Sequence, residues 1–398
     1  MNFVKKMNMK VTVSIVGSFC SQVFFVMLVS ACQFGGGRTV LHPTPENIPE
    51  VLDPRFVLNE GSKDSVLKIN YGFSSFDGIT IGKKEGNANE MLGWIVDLEV
   101  HDGSIYVLDH AYSEVKVFDY EGNLTEKIGR EGPGPGEFSF VQGMDLFEGG
   151  KEVAVLDAPA RVEIFRKSDS GFVYRESFIG SSPGSMSDNL CVLGDYIYVL
   201  GASGSGNESE LSGVVTKYAR TGELILSFGE KYHSDNEGVN RTMNERGAIA
   251  CNRESETIAY SNLYSPVLYG YTETGREKWK VKLVDYETGH LEQSVNDRGR
   301  TRIFASLLKT GQSGAVTFVS DEVTGSFIVR YAEKVKGGWT RHYFRLDAES
   351  GLGEYLTGSA GVLSENFQIM ALDEEYVYVS RVTPFPQVKI IDRSLVFP

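Results

Sequence analysis

The sequence predicts an all-β protein folded as a six-bladed β-propeller with four-stranded blades, its ring closed by an N-terminal strand that completes the last blade. Three observations predict it. First, a short β-branched or aromatic run recurs six times: IYVLD ending at Asp109, VAVLD at Asp157, IYVLG at Gly201, TIAYS at Ser261, FIVRY at Tyr331 and VYVSR at Arg381. Most of the spacings are ~40–50 residues, the period of a propeller blade, and the longer ones contain insertions. Second, apolar stripes of helical period are almost absent after residue 50, where short hydrophobic runs alternate with Gly, Asp and Asn. Third, the last unit (FQIMALD, YVYVS, QVKIID) has only three strands, while FDGITIG at 76–82 matches the fourth strand LTEKIG of the first unit.

In chain order, residues 1–31 read as a signal peptide. Lys5, Lys6 and Lys10 precede a largely apolar, uncharged stretch from Val11 to Val29, and VSAC ends it with small residues before Cys32. VSAC resembles the bacterial lipobox, and that resemblance implies that Cys32 is lipidated and becomes the first residue of the mature chain. Residues 32–50 lack periodicity and read as a flexible tether, which leaves 51–398 for the propeller. WIVDLEV, IYVLD, EVKVFD and LTEKIG form the first four-stranded unit, and QGMDLF, VAVLD, RVEIFR and YRESFIG repeat it.

Between these units lies GREGPGPGEF. Pro133 and Pro135 each remove a backbone N–H, so the stretch is a poor phosphate cradle. The same prolines stiffen it beyond a flexible linker. It reads as a corner carrying the chain from the outer strand of one blade to the inner strand of the next, with Phe138 packed between blades.

IYVLD, the EVKVFDYEGN turn and this connector resemble NHL-repeat propellers. Together with VSAC, the chain resembles the six-bladed propeller lipoproteins of gram-negative bacteria. That resemblance implies an extracytoplasmic protein anchored in a membrane, most often the outer one, facing the periplasm or the surface. It implies no particular ligand, because one fold serves many functions.

Composition narrows the partners. The chain carries 39 basic and 53 acidic residues, a net charge of −14. Loss of residues 1–31 removes three lysines and makes it −17. So acidic a protein is a poor partner for nucleic acid or for anionic lipid surfaces. A closed ring leaves no exposed sheet edge, and a monomer is expected. Beyond Cys20 and Cys32 only Cys191 and Cys251 remain, in corresponding inner strands of neighbouring blades. Two buried small apolar residues are favoured there over a disulfide.

The candidate site is the face that holds the interblade connectors and the loops between second and third strands, including insertions at 230–245 and 284–313. Tyr112, Tyr264, Trp339 and Phe385 offer aromatic surface to a sugar ring or a peptide. Arg161, Arg298, Arg300 and Arg302 offer forked donors to carboxylates, phosphates or hydroxyls. The expected role is a membrane-anchored binding or interaction module for a glycan, peptide or protein, with no cofactor and no catalytic residues. The alternative is a metal-dependent lyase or hydrolase using His110, His233 and His290 at the channel mouth. No HExxH or GxSxG motif accompanies those histidines.

Overall fold

The computed structural model describes residues 38–41, 50–51, 53–58, 67–69, 73–157, 161–180, 189–201, 213–295, 301–305, 307–358 and 367–398. The signal peptide and Cys32 lie outside the described residues. Among the described residues, no helix is long and apolar enough to cross a membrane.

Six antiparallel blades follow one another along the chain. Blade one comprises Ile95–His101, Ser104–Asp109, Glu114–Phe118 and Leu124–Ile128. Blade two comprises Val141–Leu146, Glu152–Asp157, Arg161–Ser168 and Gly171–Ile179. Blade three comprises Asn189–Leu193, Tyr196–Leu200, Val215–Ala219 and Leu224–Phe228. Blade four comprises Gly247–Asn252, Thr257–Asn262, Val267–Thr272 and Glu277–Leu283. Blade five comprises Thr317–Asp321, Ser326–Val335, Gly338–Asp347 and Gly353–Gly358.

Blade six takes Phe367–Leu372, Tyr376–Arg381 and Gln387–Asp392 from the C-terminal end of the chain. Its fourth strand, Ile79–Ile81, comes from the N-terminal side and pairs antiparallel with Val388–Ile390. This is the closure that the match of FDGITIG to LTEKIG predicts. Two further N-terminal strands, Val57–Leu58 and Leu67–Ile69, add in parallel to the outer edges of blades four and five.

The hydrophobic runs are nearly continuous because each blade is buried on both faces. In Ser104–Asp109 the two-residue period sends Ile105 and Val107 to the junction with blade six, and Tyr106 and Leu108 to the junction with blade two. Each of the six junctions has its own apolar cluster of this kind. The corner after Ile128 behaves as its composition predicts. Phe138 is fully buried, its N–H donates to the Arg130 carbonyl at 2.7 Å, and Gly129 has φ +74°. A Cβ at Gly129 would stand 2.2 Å from the Phe138 ring, so only glycine fits.

The structure departs from the sequence reading in three places. Cys191 and Cys251 form a disulfide, Cα to Cα 5.6 Å, instead of two free buried thiols. The inner strands of blades three and four pack side by side, which brings the two Cα atoms into bridging range. Within the stretch read as a tether, Arg38–Leu41 is a strand paired with Leu291–Val295, and Thr301–Ala305 completes a separate three-stranded sheet. The 230–245 insertion contains a helix, Glu237–Asn244, which starts where the Asn236 side chain accepts from the Val239 N–H at 3.2 Å. This helix and the sheet enclose Tyr232, Val239, Met243, Leu263, Tyr264 and Leu291, so the two insertions form a folded cap over blade four.

Candidate ligand-binding face

Aspartates at the ends of the second strands build the connector face around blades one and two. Asp109 accepts from the amides of Gly93, Trp94 and Ala111 at 2.8, 2.9 and 3.1 Å. Asp157 repeats the device one blade later, accepting from Ser139 N at 2.9 Å and Phe140 N at 2.5 Å. Each carboxylate thus pins the residue that enters the inner strand of its own blade, and in both blades that residue is aromatic. His110 stands between them, its ring centroid 4.9 Å from Trp94 and 4.4 Å from Phe140. The His110 backbone N–H donates to the Trp94 carbonyl at 2.8 Å. Burial lowers the His110 pKa against the opposing pull of Asp109 and Asp157, so the imidazole is neutral at pH 7. Trp94 remains 36% exposed at the inner-strand mouth. The product is an aromatic ledge with a neutral imidazole at its base.

The residues singled out in the sequence divide sharply. Tyr112 is half-buried beside this ledge, with the Lys116 Nζ 3.7 Å from its ring centre. Lys116 is itself buried and donates to the carbonyls of Ala88 and Met91. Arg161 is committed to structure: it pairs with Asp157 at 2.8 Å and Glu163 at 3.0 Å and donates to the carbonyls of Pro133 and Glu137. Its fork holds the proline corner in place. Tyr264 is fully enclosed by the cap, so its ring supports the face from within.

Trp339 is half-buried at the tip of the blade-five hairpin with Lys334 4.6 Å over its ring, and Phe385 is half-buried in the loop before Gln387–Asp392. Arg302 is exposed on the cap sheet, whereas Arg298 and Arg300 lie outside the described residues. The three histidines do not converge. His233 is exposed, and His290 is buried with its Nδ1 3.0 Å from Gln312 Nε2. His110 belongs to the ledge. Among the described residues, no group of three or more His, Cys, Asp or Glu side chains is placed to hold a metal ion.

Trp94 and Phe140 were missed in the sequence, although a signal was there. MLGWIVDLEV and EFSFVQGMDL align with an aromatic at the same step before each inner strand. A second unanticipated feature lines the channel. Asp97 and Asp145 lie on the inner strands of blades one and two, and each accepts from an amide of the next blade, Met144 N at 3.0 Å and Val192 N at 2.7 Å. Arg253, from blade four, donates to Asp145 at 2.8 Å and to the Leu146 carbonyl at 2.9 Å. Glu99 lies in the same electrostatic field.

These carboxyls sit deep in the ring, yet Asp97 and Glu99 keep partial exposure to the channel. Burial pushes Asp97 up to about 7, with a further rise from the Asp145 charge and an opposing pull from the amides of Met144 and Leu98. Glu99 is raised well above the carboxylate range, mainly by burial and then by Asp145 and Asp97. A native carboxyl that holds its proton above the unfolded value near 4 stabilises the fold at low pH and loses that contribution as pH climbs to its own pKa. Thermal melts should therefore show stability falling between about pH 4 and 7, at up to about 1.4 kcal/mol per pH unit for Asp97. Asp97→Asn should flatten that segment of the curve. An unchanged slope in the variant would remove Asp97 as its source.

The profile of a family described as "DUF5128: 6-bladed beta-propeller" matches residues 74–167, from the closing strand through blade one into the third strand of blade two. None of the curated proteins matches the chain. Among solved structures, the chain is similar to a Bacteroides fragilis protein assigned as exported, at TM-score 0.53 and 12% identity, over 82% of this chain and 88% of that one. It is also similar to a DUF4221 family member from Bacteroides vulgatus, at TM-score 0.53 and 11% identity, over 79% and 96% respectively. Fold and likeness define the class: this is an all-β, six-bladed β-propeller.

Proposed function

We propose that the chain is an exported, lipid-anchored binding module of the outer membrane, which takes a ligand with a flat apolar face, such as a glycan or peptide, on its connector side. The observation that carries this reading is the ledge of Trp94, His110 and Phe140. The exposed tryptophan has its backbone amide held by Asp109 and its ring packed edge-on against His110, so little side-chain entropy is lost when a ring stacks on it. Export is supported by VSAC at Cys32, by a buried disulfide of the kind that persists in oxidising compartments, and by the assignment of the Bacteroides fragilis relative as exported.

Two experiments test the reading. In a screen of residues 51–398 against glycans and peptides, the ligand found should change the fluorescence of Trp94, the most exposed of the three tryptophans. Trp94→Ala should weaken that binding by about 2 kcal/mol, roughly thirtyfold, at unchanged melting temperature. Full affinity in the variant would place the site elsewhere. For the anchor, Cys32→Ala should move the full chain out of the membrane fraction; a variant that fractionates like the wild type rejects lipidation.

A further inference from the structure

The cap sheet is joined to the residue that would carry the lipid by a very short stretch of chain. Its first strand begins at Arg38, six residues after Cys32. A fully extended chain spans at most ~3.6 Å per residue, so the lipid attachment point lies within about 20 Å of the sheet. The inner strand of blade one alone has seven residues, about 23 Å at ~3.3 Å each, and it separates the connector face from the opposite face. An anchor this short cannot bring the opposite face to the bilayer while Arg38–Leu41 stays paired with Leu291–Val295.

The sheet has two unlike sides. Ile303 and Leu291 pack inward with the helix Glu237–Asn244 and with Tyr264. By the two-residue period, Arg302 and Phe304 stand on the other side, both exposed, and Leu307 just beyond is 73% exposed. Apolar side chains next to an arginine suit the headgroup boundary, where the chain buries and the guanidinium stays wet. Locally the charge balances: residues 284–313 contain four acidic and four basic residues, and on the outer side Arg302 is set against Glu292, the cross-strand partner of Phe304, within a chain of net charge −14.

We infer that the outer side of the cap sheet, with Phe304, Leu307 and Arg302, is the surface that lies on the lipid headgroups, turning the connector face toward the membrane and the opposite face away. This placement rests on the lipid anchor proposed at Cys32. It puts the Trp94 ledge on the membrane-facing side, so a ligand reaches it from the layer next to the bilayer.

The test uses the full lipidated chain in phosphatidylethanolamine–phosphatidylglycerol vesicles containing spin-labelled lipids. One fluorophore is attached through Leu307→Cys on the cap. A second variant carries it through Ser170→Cys, at an exposed turn between the third and fourth strands of blade two on the opposite face. The native Cys191 and Cys251 are bonded and do not label. The lipids should quench the probe at 307 strongly and leave the probe at 170 unquenched, and Cys32→Ala should abolish the quenching at 307. Vesicle-bound protein with equal quenching at both sites, or more at 170, overturns the orientation while leaving the anchor intact. Wild-type chain that fails to float with vesicles overturns the anchor and this placement together.

Discussion

Removing residues 1–82 should leave a chain that aggregates or melts far below residues 51–398. The deleted segment holds the only strand that covers the outer edge of Val388–Ile390 among the described residues. Ile81 is 1% exposed and packs with Leu98, Phe118 and Tyr378, so its loss opens the junction between blades six and one. The buried Lys389 ammonium donates to the carbonyls of Phe73 and Phe76, and both acceptors would disappear. Lost ladder bonds, exposed apolar area and an unpaired buried cation together cost roughly 5 kcal/mol or more, and the open edge invites chain-to-chain pairing.

The deletion also removes the outer strands on blades four and five, so a point variant isolates the closure. Ile81→Asp buries a carboxylate in an apolar junction and should cost about 3–5 kcal/mol by urea unfolding. Gly78→Val should act in the same direction, because a Cβ there would meet the Ile390 carbonyl oxygen at 2.2 Å. If Ile81→Asp unfolds at the wild-type urea concentration, the strand does not close the ring.

The second large effect is expected at the disulfide. Cys191 and Cys251 are 60 residues apart, and cross-linking a loop of that length removes enough entropy from the unfolded chain to contribute about 4 kcal/mol. Replacing both by alanine, or reducing the folded protein, should lower the melting temperature on the order of 5 °C. A thiol assay on denatured, unreduced protein with Cys32 acylated and the signal removed should find no free thiol. Two free thiols would mean that the bond does not form, and an unchanged melting temperature in the double variant would mean that it contributes nothing.

Blade number, strand order and closure were legible in the sequence because they depend on local periodicity. A strand buried on both faces must read as an unbroken apolar run, as IYVLD and VAVLD do, and a reversal such as GREGPGPGEF must use residues with unusual backbone freedom or restraint. Asp109 and Asp157 also recur visibly at the ends of those runs. Their task, pinning Trp94 and Phe140, shows only when the connector folds back on the strand end.

The candidate site was less legible, for a physical reason visible at single residues. Arg161 reads as a free fork in the chain, yet its guanidinium reaches Asp157, Glu163 and the carbonyls of the corner once third strand and connector meet. Tyr264 reads as loop surface until a helix and a hairpin from distant insertions close over it. The strand at Arg38–Leu41 lacks enough residues to announce itself, and its partner lies some 250 residues away.

The sequence by itself determined the all-β class, the six-fold repeat, the corners and the N-terminal closure, since each follows from the order of apolar and turn residues within one short window. The tertiary structure alone decided the disulfide, the edge-on packing of Trp94 and Phe140 against His110, the channel carboxylates and the cap. Those depend on distances between residues of different blades or insertions, which exist only after the ring has closed.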